Sequence, residues 1–157
     1  MSEMTESKAT ETNAGADQEA LKAWYKGALD KVVREMVKNR AVESAAVEAA
    51  AVWMVPNRIL IAKVWEASQN TQFIWTISGD AVVTDHIKGS LATTPREAAR
   101  HFSLKWQMDA ERVLSLAKSK TPSGKPEPHL EAHSQKLIRN AEALYDLTTV
   151  DDFWKEV

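Results

Sequence analysis

Arg58-Ile-Leu-Ile-Ala-Lys-Val-Trp-Glu-Ala67, then Ser68-Gln-Asn-Thr-Gln72, then Phe73-Ile-Trp-Thr-Ile-Ser78 is the stretch on which the fold turns. The outer runs are β-branched and aromatic and the middle one is a polar turn, so the three together read as an antiparallel hairpin. Strand alternation puts Phe73, Trp75 and Ile77 on one face and Ile74, Thr76 and Ser78 on the other. The tryptophan face is expected to meet helices, because a lone hairpin is marginal in water.

Upstream, Leu21, Tyr25, Ala28, Val32 and Met36 recur at three- and four-residue spacing behind a candidate N-cap, Asp17, which predicts a first helix. Residues 41–54 are rich in Ala and Val, with Glu43, Ser44 and Glu48 as a wet side, and predict a second, more buried helix ended by Pro56. Residues 1–16 hold Met1 and Met4 but otherwise no large apolar side chain, and are expected to form a disordered tail. Downstream, Gly79-Asp80 favours a turn and 81–84 allow a third short strand. Thr94-Pro95-Arg96-Glu97 combines a Thr cap, a Pro at the first helical position and a Glu three residues after the cap. The helix it opens buries a stripe of Ala98, Ala99, Phe102, Trp106, Ala110, Val113 and Ala117, interrupted by Asp109.

The run T-P-S-G-K-P-E-P at 121–128 reads as a linker or extended loop. Beyond it, Leu130, Leu137, Ile138, Ala141, Leu144 and Tyr145 form another helical stripe, and 149–157 a short terminal turn with Phe153 and Trp154. The expected class is α+β: a small antiparallel sheet of two or three strands packed against about four helices. The expected division is a tail at 1–16, a core at 17–120, the linker, and a C-terminal helical segment at 129–157 that packs on the core. Without tail and linker about 130 residues remain, a size that buries roughly two-thirds of its unfolded surface.

The chain has 157 residues, 44% of them hydrophobic, and 20 Lys plus Arg against 22 Asp plus Glu. That balance offers no basic excess for nucleic acid or an anionic membrane surface. With no cysteine, disulfides, thiolate zinc, haem attachment and a cysteine nucleophile are excluded. The start lacks the basic and apolar runs of a signal peptide, and the longest apolar stretch is far short of the roughly 20 residues of a membrane span, so a cytoplasmic protein is expected.

Chemistry concentrates in Ser78-Gly79-Asp80-Ala-Val-Val-Thr84-Asp85-His86, which places two carboxylates and an imidazole in one loop. Such groups ligate divalent metals or share acid and base roles, with His101 able to join from the next helix. The same residue types also serve as ordinary turns and caps. Arg96 and Arg100 at a helix start suit an anion, although exposed arginines usually form a solvated face. His129 and His133 stand at i, i+4 with no evident third ligand, so no metal is expected, and no cofactor motif is present. Trp65, Trp75 and Trp106 are expected in the core, and Trp24 and Trp154 are candidates for a partner surface.

Trp53-x-x-Pro56, Val64-Trp65, Trp75-x-Ile77-Ser78-Gly79-Asp80, Thr84-Asp85-His86-Ile87 and Pro95-Arg96-Glu97-Ala98 with Phe102 and Trp106 together resemble an uncharacterised bacterial domain-of-unknown-function family built around a W-x-I-S-G-D…T-D core. The resemblance covers residues 52–107, and Val83 stands where the family pattern has proline. It implies no activity, but marks Gly79, Asp80, Thr84 and Asp85 as the family signature. The function expected is a non-catalytic binding or protein-interaction module, acting on a protein partner or by self-association. The alternative is an enzyme or receptor for a small anionic, phosphate-bearing ligand, using Asp80, Thr84, Asp85 and His86 with Arg96, Arg100 and His101.

Overall fold

The computed structural model describes residues 2–39, 41–42, 47–67 and 72–155, with side chains from residue 15 onward. Helix α1 (Ser2–Lys38) has a helical backbone that begins within the stretch expected as a tail. Four strands follow, β1 (Val47–Val55), β2 (Ile59–Glu66), β3 (Ile74–Ser78) and β4 (Asp85–Lys88), and then helices α2 (Pro95–Ser119) and α3 (Pro128–Thr148). The α+β class stands. The sheet has four strands rather than two or three, in the order β1-β2-β3-β4, and the described residues hold three α-helices rather than about four.

Two local expectations need correction. The second half of the stretch read as a buried helix over 41–54 is strand β1; residues 43–46 lie outside the described residues. Alanine is only weakly disfavoured in strands, and Val47, Trp53 and Val55 gain a paired ladder against the hydrophobic β2. Pro56 ends this segment as the second residue of a β-turn: Arg58 N–H donates to Val55 C=O at 3.0 Å, and Asn57 takes φ 64°, a conformation Asn tolerates. The short strand expected at 81–84 lies instead at Asp85–Lys88, as β4, because 81–84 is held as a loop.

The sheet is covered on both faces. On one, Leu60, Ala62 and Val64 meet Ala28, Val32 and Met36 of α1, and Ser78 Oγ donates to Ala28 C=O. On the other, Ile61, Trp75, Ile77 and Ile87 pack against Phe102 and Trp106 of α2 and Leu137, Ala141 and Leu144 of α3. A bulge between Ala51 and Trp53 turns the far end of β1 over, so Val52 and Trp53 both join the second core. Trp75 and Trp106 are fully buried, each removing on the order of 150–250 Å² from water, roughly 4–6 kcal/mol as an upper estimate.

Helices α2 and α3 form an antiparallel pair with a regular cross-link. Arg96 Nε donates to Thr148 C=O, Ser103 Oγ to Ala141 C=O, Ser134 Oγ to Ala110 C=O, and Glu127 N–H to Ala117 C=O. The α2 positions 96, 103, 110 and 117 recur every seven residues, and so do their partners 148, 141, 134 and 127. Small buried residues at this seam let the two backbones approach closely, and the seven-residue period keeps the seam facing its partner. The expected linker is a short loop, in which the Thr121 hydroxyl donates to Lys125 C=O.

Candidate functional site

The loop after β3 is built by its backbone. Gly79 has φ 138°, and a Cβ there would lie 2.1 Å from Arg58 C=O, the group that accepts the Ala81 N–H. Val83 N–H donates to Asn140 Oδ1 of α3, and Val82 enters the core. Asp80 is exposed, and Thr84 Oγ1 is buried without a hydrogen-bond partner.

Asp85 is tied down on every side. Its Oδ1 accepts from Lys105 Nζ at 2.7 Å and from the His86 N–H at 2.8 Å, and its Oδ2 accepts from Trp106 Nε1 at 2.9 Å. Lys105 Nζ also reaches His86 C=O at 3.2 Å. These bonds have a clear local purpose. Gly89 N–H donates to Phe73 C=O, so strand alternation makes Trp75 and Ile87, and Ile77 and Asp85, the bonded pairs of β3 and β4. His86 is left with its N–H and C=O directed off the outer edge of the sheet, where Asp85 and Lys105 satisfy both. The pair therefore blunts an edge strand.

His86 follows Asp85 on the strand, so its side chain projects to the opposite, α1 side of the sheet. Burial holds its imidazole below the ordinary value, Lys105 adds to the depression, and the Asp85 carboxylate opposes it. Arg96 is engaged elsewhere, with Nε on Thr148 C=O and Nη2 on Asp151, both at 2.8 Å. It stands nine residues before Lys105, about 13 Å along α2. Thr94 Oγ1 accepts the Glu97 N–H, and Glu97 accepts from the Thr93 N–H and hydroxyl, which hold its carboxyl below the usual range. Arg100 is exposed and His101 half-buried. Of the sequence-selected residues, Asp85 and His86 share one network with Lys105 and Trp106, Arg96 belongs to another with Thr148 and Asp151, and Asp80 and Arg100 are exposed.

The tryptophans also divide. Trp154 is not a surface residue: it is buried and stacks on Trp53 with ring centroids 4.2 Å apart, and the two indoles donate to Leu147 C=O and Phe153 C=O. Trp24 is half-buried against the Leu60–Ala62 cluster. Trp65, expected in the core, is half-exposed at the far end of β2, where its Nε1 donates to Glu48 Oε2 at 2.8 Å. It forms a wall of a cleft of about 750 Å³, with Val42, Val64, Phe73 and Ile74 as further apolar lining and Lys88 among its polar groups. Phe73 is braced edge-on against Trp75 at 5.3 Å, with Lys63 Nζ 4.6 Å above its ring. These positions are scattered over four segments of chain, and no sequence spacing joins them. Among the described residues no group of three His, Asp or Glu is placed to hold a metal ion, and His129 and His133 are exposed on α3. No helix among them is long and apolar enough to cross a membrane.

A small sheet between one helix and a helix pair, with an aromatic cleft at its end, defines an α+β domain. The chain belongs to the family described as Domain of unknown function (DUF4826), whose model matches residues 18–154. Comparison with curated proteins and with solved structures finds no match to either.

Proposed function

We propose that this domain is a non-catalytic binding module whose site is the cleft at the end of β2 and β3. The observation that carries this reading is the cleft itself: about 750 Å³, walled by Trp65 and Phe73, with Lys88, Glu66 and Gln72 as polar groups on its lining. Volumes of a few hundred Å³, mostly apolar with a few polar groups to fix orientation, are what small-ligand and side-chain recognition use. The matching ligand has a flat apolar group to lie along Trp65 and polar groups to meet Lys88, Glu66 and Gln72 on the lining. The reading as an anion site at the start of α2 draws less support, because Arg96, Thr94 and Glu97 already serve the fold there.

The test uses 8-anilinonaphthalene-1-sulfonate, an aromatic anion, titrated into the full chain while its fluorescence is followed. Saturable binding is expected, weakened at least tenfold by Trp65→Ala and several-fold by Lys88→Glu, with melting temperatures of the variants close to the parent. Binding that neither substitution changes would place the site elsewhere and overturn the proposal.

A further inference from the structure

The two edges of the sheet are treated differently. At β4 the outward N–H and C=O of His86 are filled by Asp85 and Lys105 of the same chain. Carrying the ladder alternation across β3 and β2 makes Ala50 and Lys63, and Glu48 and Trp65, the bonded pairs of β1 and β2. Val47, Ala49 and Ala51 then direct their N–H and C=O groups away from the sheet, and among the described residues nothing accepts or donates there. This stretch has no proline and no lysine, the residues that usually guard an edge.

Beside this open edge α1 carries a second apolar stripe. Leu29, Val33 and Val37 follow one another at four-residue spacing, displaced by one residue from the buried stripe of Ala28, Val32 and Met36. Leu29 and Val33 are half-buried, and Val37 is 43% exposed. Together with Val47 and Ala49 of β1, Leu29 and Val33 line a groove of about 630 Å³, whose α1 wall also holds Asp30 and Arg34.

We infer that β1 is the interface of a two-fold homodimer, in which the β1 strands of two copies pair antiparallel and join their sheets into one of eight strands. The surface is self-complementary, as a two-fold contact requires. An axis at Ala49 sets Val47 of one copy against Ala51 of the other, with each outward donor facing an outward acceptor. The same axis brings the two α1 helices side by side and antiparallel over the joint, so that their apolar stripes cover each other and the groove is closed. Asp30 and Arg34 lie one turn apart, and the antiparallel arrangement brings Asp30 of each copy toward Arg34 of the other. A heterologous strand would use the backbone edge but has no reason to reproduce this charge pairing. The inference is independent of the cleft, whose lining shares no residue with the groove.

Sedimentation equilibrium of the full chain tests it. A species of twice 17.5 kDa is expected at tens of micromolar. Ala49→Pro removes an outward N–H without touching the β1–β2 ladder and is expected to shift the protein to monomer with its circular dichroism unchanged. Asp30→Arg and Arg34→Asp are each expected to weaken the dimer at least tenfold, and the double exchange to restore it. A monomeric parent chain at 100 µM overturns the inference. So does a dimer that Ala49→Pro leaves intact, or single exchanges without effect; a parent monomer that takes up an added strand peptide on β1 assigns the edge to a different partner.

Discussion

At Gly79 the chain adopts φ 138°, a region that side chains with a Cβ rarely enter, and does so with its Cα pressed toward Arg58 C=O. Both constraints act on the same substitution. Gly79→Ala combines backbone strain of about 1–3 kcal/mol with an overpacking cost of similar size, and is expected to lower stability by roughly 2–6 kcal/mol in urea denaturation. Gly124→Ala, also at positive φ but with open space around it, carries the backbone term alone and serves as the comparison. At this scale the sequence was partly legible. The turn at Gly79-Asp80 and the Thr94 cap follow from local chemistry, which acts within a few residues. That Asp85 and His86 part to opposite faces depends on their lying on a strand, and the loop reading placed that strand four residues too early. Trp154 read as a surface residue because its partner, Trp53, is 101 positions away in the chain, and no local pattern announces such a stack.

Among the elements, α2 and α3 are specified by more than their apolar stripes. Their cross-links set 103 against 141 and 110 against 134 through buried serine hydroxyls. Ser134→Ala leaves Ala110 C=O within its own helix ladder and removes one buried bond, so a loss of about 1 kcal/mol is expected. Ala110→Leu forces bulk into the same seam, where the backbones are close, and is expected to cost more, about 2–3 kcal/mol, measured by the same denaturation midpoints. Both helices were legible from periodicity, and the start of α2 from its Thr94 cap as well; the Glu127 cap of α3 fell inside the stretch read as a linker. Strand β1 was not, because six alanines in residues 41–51 satisfy helix propensity, and only the neighbouring β2 makes an extended chain the better partner.

For the whole molecule, stability depends on pH through groups whose native environment disfavours or favours their charge. His86 is held below 6.5, so the folded protein prefers the neutral imidazole. Its contribution is complete above pH 6.5, where the unfolded chain is also neutral, and is lost as pH falls through the lower native value. Glu97 and Glu127 are held below 4.5 by hydrogen bonds from Thr93 and from Leu130 and His129, so their contributions go at lower pH still. Urea midpoints are therefore expected to be flat above pH 7 and to fall in two stages, the first beginning near 6.5 and the second below 4.5. His86→Asn removes the first stage and leaves the second; an unchanged first stage would assign it to another group.

The seven-residue cross-links between α2 and α3 also govern where this chain tolerates changes of length. A residue deleted within α3 ahead of Ala141 rotates everything beyond it by about 100° and puts Arg96 and Ser103 out of step with their acceptors at once. Residues inserted at 122–126 leave every rung in place, and doubling a loop costs only about 0.6 kcal/mol of closure entropy. Relatives of this domain should thus differ in length at that loop while keeping both helices uncut, and a tag or a second domain can be spliced there with the core intact.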